Sequence, residues 1–183
     1  IAIAHYAIGD TYLNANMNNE AIEEYEIAMQ KLHKVSDSEK LQEKVLIQLI
    51  PTLIRMGRMD EAKAHLDQME QMNDYQHSRF IENIFQAYYY LHNNDMDKVR
   101  KYIQEAEEWY EYYPFYFHSS ILKYIQAEYA KRIGDDELAI KLYNELTINT
   151  SSANVYNRYL KMLNSLAQLY TKQSRPREAC AIF

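Results

Sequence analysis

The stretch Ile3–Met29, IAHYAIGDTYLNANMNNEAIEEYEIAM, reads as two amphipathic helices joined by a tight polar turn. The first helix carries Tyr6, Ile8, Gly9, Tyr12 and Leu13. A glycine inside a helix costs about 1 kcal/mol relative to alanine, and close approach of a second helix would offset that cost. Ala21 is the residue expected to face Gly9. The turn runs from Asn14 to Asn19 and is rich in residues that tolerate turns and cap helices. The second helix then places Ala21, Ile22, Tyr25, Ala28 and Met29 on one apolar stripe.

The same pattern returns along the chain. The equivalent small residues are Ala21, Ala62, Val99, Ala139 and Ala179, spaced 41, 37, 40 and 40 residues apart. A fixed period of this length marks stacked hairpins that share one core. The repeats fall at about 1–36, 37–74, 75–113, 114–150 and 151–183. In the second, Ser36, Asp37 and Ser38 supply capping oxygens for a helix over about 39–56. Pro51 should kink it, and Gly57 should end it. The return helix starts near Asp60. The third repeat starts near His77, the fourth after Pro114, and Gly134 and Asp135 form the fourth turn. In the fifth, Ser151 or Ser152 caps the first helix, and Ser174 caps a second helix entered through Pro176.

Composition supports an all-α chain. Three glycines and three prolines in 183 residues are too few for a turn-rich β protein. The hydrophobic share of 48% is enough for a sizeable core and argues against disorder. A net charge of −6 argues against a nucleic-acid surface, which needs clustered Lys and Arg. No apolar run approaches the ~20 residues of a membrane span. The lone Cys180 rules out an internal disulfide, and its place on an apolar face predicts a small core residue. The chain opens inside one helical pattern without Met and stops at Phe183 inside another, as a fragment of a longer protein would.

Gly9, Tyr12, Ala21, Tyr25 and Ala28 resemble the tetratricopeptide repeat, with its G-x2-Y…A-x3-F-x2-A pattern. His5 stands where that family has Trp, and His33 where it has its closing Pro. The family period is about 34 residues, so the longer spacing here is similar to a longer-period variant found in bacterial signalling proteins. The resemblance covers essentially the whole chain. It implies an all-α, right-handed superhelix of about five hairpins forming one solenoid domain, with a concave face lined by first helices.

Chemistry-bearing constellations are sparse. The six histidines lack the convergent spacing of zinc ligands, and three scattered glycines cannot form a phosphate loop. No catalytic residue, metal or cofactor is expected. The run from Trp109 to Phe117 is aromatic packing or a second contact surface. Mapping the family's groove positions gives Tyr6, Asp10 and Asn14, then Ile47 and Arg55, then Ile84, Tyr88 and His92. The fourth repeat adds Tyr124, Glu128, Lys131 and Arg132, and the fifth Asn164, Gln168 and Lys172. Tyr6 and Asp10 stand where chaperone-binding members carry a Lys/Asn carboxylate clamp, which excludes that subclass. Tyr88 and Arg132 are expected on an exposed face, and Lys131 and Arg132 to hold an acidic group of an extended segment.

The implied function is binding of a protein or peptide segment, or self-association through one face, with neither nucleic acid nor membrane as partner. The resemblance points to the sensor region of a bacterial two-component or transcriptional regulator. As a membrane sensor's extracytoplasmic part it would be periplasmic, which is favoured over the cytoplasm. The alternative is a cytoplasmic peptide-pheromone receptor of the Rap type, with an enzyme as a distant third class.

Overall fold

The computed structural model describes residues 1–72, 76–110, 116–148 and 156–182. Among them are ten α-helices and no strand. These are α1 (Ala2–Asn14), α2 (Asn18–Leu32), α3 (Glu39–Arg55), α4 (Met59–Gln71), α5 (Gln76–His92) and α6 (Met96–Tyr110), followed by α7 (Tyr116–Ile133), α8 (Asp136–Ile148), α9 (Tyr156–Lys172) and α10 (Pro176–Cys180). The chain divides into two compact units, Ile1–Tyr113 and Pro114–Phe183. In the first unit, α1 packs on α2, α3 on α4 and α5 on α6, while α2 meets α3, and α5 meets both α3 and α4. In the second, α8 packs against α7 and α9, and α9 against α10. The fold is all-α, built from tetratricopeptide-like antiparallel hairpins.

One backbone device makes every hairpin turn. Asn16, Gly57, Asn94, Gly134 and Ser174 all have φ between 57° and 87°. Each sits just past the end of a first helix. The next residue's N–H then reaches back to a carbonyl five residues earlier, as in Met17 to Tyr12, Arg58 to Leu53 and Asp135 to Ala130. The left-handed residue's own N–H bonds three residues back, as in Gly57 to Ile54. This is the Schellman motif, which satisfies carbonyls that the helix end leaves open. Five residues after each left-handed position come Ala21, Ala62, Val99, Ala139 and Ala179, so the repeat register read from the sequence is the register of the turns.

Several local expectations are corrected. Ser38 is the N-cap of α3, but its side chain caps nothing: its hydroxyl donates to the Leu32 and Val35 carbonyls and accepts from Gln42. The hydroxyl serves the end of α2, where the carbonyl of the buried Leu32 has no partner within the helix. Ser174 does not cap α10. It closes α9 in the left-handed region, and Arg175 is the N-cap. Pro176 accounts for the shift, since it disfavours helical backbone at the residue before it. Cys180 is exposed, and α10 buries none of its residues. The proposed caps Ser151 and Ser152, and residues 111–115 of the aromatic run, lie outside the described residues.

The first hairpin packs differently from expectation. What meets Gly9 is the ring of Tyr25: a Cβ on Gly9 would lie 2.6 Å from Tyr25 Cε1 and 2.7 Å from Cδ1. The glycine makes room for a flat ring one turn beyond Ala21. Among the described residues, Tyr25 and its counterpart Tyr143 are the largest fully buried side chains.

Candidate functional site

Counted from each left-handed turn residue, two hairpins carry one arrangement. Tyr6 and Tyr124 lie ten residues before it, Asp10 and Glu128 six before, and Tyr25 and Tyr143 nine after. The Tyr25 hydroxyl donates to Asp10 Oδ1 at 2.6 Å, and the Tyr143 hydroxyl to Glu128 Oε1 at 2.6 Å. Such charge-assisted bonds are short and strong. Burial, then the carboxylate, pushes both phenols far above their usual range. The Tyr6 ring lies 6.0 Å from that of Tyr25, and its hydroxyl is pushed up by burial and by Asp10, with Gln48 acting in the opposite sense.

The next first helix in each unit completes the arrangement. Arg55 and Lys172 both lie two residues before a turn, and Asn18 and Asp136 two residues after one. Arg55 donates to Asn18 Oδ1 at 3.0 Å, and Lys172 pairs with Asp136 at 2.5 Å. Lys131 donates to Ser165 Oγ at 2.9 Å. Each bond ties neighbouring hairpins together within one unit.

The groove positions therefore divide. Asp10, Arg55, Glu128, Lys131 and Lys172 are half-buried or paired within the protein, Tyr6 and Ile47 are half-buried, and Ile84 is fully buried. Tyr124 is buried, and so is Tyr88, contrary to expectation. Every residue from 80 to 88 is buried, because α5 is covered by α3, α4 and α6 and has no single inward stripe. Tyr88 meets the exposed His92 edge-to-face at 4.9 Å. Asn14, His92, Arg132, Asn164 and Gln168 are the exposed members.

Two histidines act structurally. His5 Nδ1 lies 2.6 Å from Glu24, and His65 Nε2 lies 2.8 Å from Glu26. Burial pulls the His65 imidazole down, but the hydrogen bond and charge of Glu26 outweigh it and hold the group above its ordinary value. Among the described residues no group of three His, Cys, Asp or Glu could hold a metal ion, and no helix is long and apolar enough to cross a membrane.

The structure also shows a cavity of about 420 Å³ in the first unit, between α4, α5 and α6, which none of the groove positions lines. Its wall includes Glu82 and Asn83, both buried. Sequence reasoning passed over them. The available signal was a pair of polar residues in the apolar run 80–88.

The turns, the tyrosine–carboxylate pairs and the hairpin packing define an α-helical repeat protein of tetratricopeptide-like class. No protein-family model matches the chain, and no curated protein matches it. Five chains of known structure match. One, a mutant of MamA, is similar with a TM-score of 0.44 and 16% identity, over 100% of this chain and 93% of that one. A match at that level carries no argument, and the assignment of class rests on the hairpins themselves.

Proposed function

We propose that this chain is a non-catalytic scaffold that binds a protein or peptide segment along the first helices of its hairpins. The finer reading is the sensor or interaction region of a bacterial signalling protein. The observation that supports binding is the fivefold repetition of one turn at one register. Repetition of a hairpin presents equivalent first-helix positions in series, which suits an extended partner. The exposed positions Asn14, His92, Arg132, Asn164 and Gln168 offer amides and charge for such a segment.

A photo-crosslinking residue placed singly at Asn14, Arg132 or Gln168 should capture a polypeptide from the native host. The same residue at Gln30 on α2 or Gln104 on α6, both exposed on second helices, should capture it poorly. Equal capture from both sets would refute the assignment of the binding face.

A further inference from the structure

One imidazole stands between two acceptors where the first hairpin joins the second. His65 of α4 places Nε2 at 2.8 Å from Glu26 Oε1 of α2, and Nδ1 at 3.3 Å from Gln68 Oε1, one turn along α4. A chain of hydrogen bonds fixes which way Gln68 points. Ser38 Oγ lies 2.9 Å and 2.8 Å from the Leu32 and Val35 carbonyl oxygens, so its one hydrogen goes to a carbonyl. Its third neighbour, the Gln42 amide at 2.8 Å, must then donate to it. Gln42 therefore turns its oxygen to Gln68. Gln68 in turn donates from Nε2 to Gln42 at 3.4 Å and presents its oxygen to His65. The second hydrogen of that nitrogen is left for Nε2 of the exposed His33, at 3.4 Å. A neutral imidazole has a single N–H. Either neutral tautomer of His65 sets a lone pair against an oxygen, and only the imidazolium donates to both.

We propose that this relay is a proton-operated joint, which locks the first hairpin to the second in acid and slackens when His65 loses its proton. Locked, the imidazolium bonds Glu26 of α2 and Gln68 of α4, and Gln42 carries the link to α3 and back to the end of α2. Unlocked, one of the two His65 bonds gives way to repulsion between lone pairs. The charges acting on His65 are the carboxylates of Glu26 on α2 and Glu61 one turn back on α4, and Glu61 is itself held by Arg58. From α3 the relay receives the neutral amide of Gln42. From α5, Arg79 and Glu82 line the cavity beside Glu70, which lies roughly 140° around α4 from His65. Burial favours the neutral ring, but Glu26, Gln68 and Glu61 outweigh it and hold the group above its ordinary value of 6.5. A value raised by folding makes the lock complete below about 6.5 and lost as pH rises through the folded value. The His65 and Glu26 side chains keep 15% and 31% exposure, so the proton exchanges with water. The device lies within the first unit and does not depend on the reading of the chain as a scaffold.

Nitrogen-15 NMR of the imidazole rings in the whole chain, titrated from pH ~5 to ~9, follows the proton directly. His65→Gln identifies the signal by its loss. Both ring nitrogens of His65 should be protonated in acid, with a titration midpoint above the ordinary 6.5. Gln68→Leu removes one acceptor and should lower that midpoint. Ser38→Ala acts two links away, through Gln42 and Gln68. It frees both amides to turn over and offer His65 a donor, so it should lower the midpoint too. A plain His65–Glu26 pair would not respond to Ser38. Should Ser38→Ala at its buried site not fold, Gln42→Leu cuts the same link from a half-buried position. Urea midpoints taken at pH ~6 and ~8.5 should fall with pH in the parent, and His65→Gln should lose part of that fall. The proposal is overturned if His65 titrates at or below its ordinary value, or if its midpoint ignores Gln68→Leu and the variant that cuts the relay. It is overturned equally if His65→Gln keeps the full pH dependence of the parent.

Discussion

Replacing Gly9 by Ala tests the packing of the first hairpin. Alanine gains about 1 kcal/mol of helix propensity at an interior position. Against this, the new methyl would lie 2.6 Å and 2.7 Å from two carbons of the Tyr25 ring, about 1 Å inside the ~3.5–4.0 Å optimum for carbon contacts. Tyr25 is fully buried, and its hydroxyl is held by Asp10 at 2.6 Å, so the ring cannot retreat. Overpacking of this kind costs about 1–3 kcal/mol, here at the upper end, and the net loss is about 1–2 kcal/mol. For a chain of this size that lowers Tm by about 2–8 °C. The second unit shows how the cost is relieved. At the equivalent positions it has Ala127, Glu128 and Tyr143. There the small position already carries a methyl group, and the acid that holds the tyrosine is one methylene longer than Asp10, which gives its ring more room to stand off. Asp10→Glu should therefore rescue Gly9→Ala, with the double variant recovering about half of the loss or more. Urea denaturation followed by far-UV circular dichroism measures all four proteins. A Gly9→Ala variant as stable as the parent would refute the close contact. A double variant no better than the sum of the two singles would refute the coupling.

Three further outcomes are expected. Tyr25 and Tyr143 have folded-state pKa values raised above the unfolded value of about 10. Their contribution is therefore complete below that pH and is lost as pH rises towards the folded values. The urea midpoint should fall between pH ~9 and ~11, and the Tyr25→Phe, Tyr143→Phe double variant should flatten that fall; an unchanged slope would sink the argument. Gly57 has φ +75 with no atom within 4 Å of a would-be Cβ, so Gly57→Ala should cost roughly 1 kcal/mol of backbone strain. Gly57→Asn should cost less, since Asn16 and Asn94 already hold the same conformation; denaturation midpoints that reverse this order would contradict it. Exposed Cys180 should react with Ellman's reagent in the native protein, and a reaction that requires denaturant would contradict that exposure.

The turns and the small residues after them were legible because both are local. A left-handed residue and the helix start behind it lie within one short stretch, where residue type and conformation are coupled directly. The tyrosine–carboxylate pairs were not legible. Tyr25 reads as a member of an apolar stripe, and Asp10 and Glu128 as groove residues, whereas each acid closes on a tyrosine across its hairpin. The recurrence of an acid fifteen residues before a tyrosine in two repeats was the available clue. Tyr88 was misplaced because a helical stripe presumes one buried face, and α5 is buried on several. Ser38 shows the same limit on a small scale: its hydroxyl reaches back to the Leu32 and Val35 carbonyls, which spacing along the sequence does not show. Asn83 and Glu82 sit in that same crowded helix, where composition alone gives no hint of a cavity.

The tyrosine–carboxylate bonds have a kinetic consequence. Each joins residues only fifteen apart in sequence, so the loop that must close before the bond forms is short. Closing a loop of about ten residues takes ~10–100 ns, and chains dominated by such local contacts fold in microseconds to milliseconds. A first hairpin with Asp10→Asn should lose more in folding rate than in unfolding rate if its closure belongs to the nucleus. In a repeat array any hairpin can start the process. Two hairpins that carry the same bond, one in each compact unit, would then be two independent starting points on one chain.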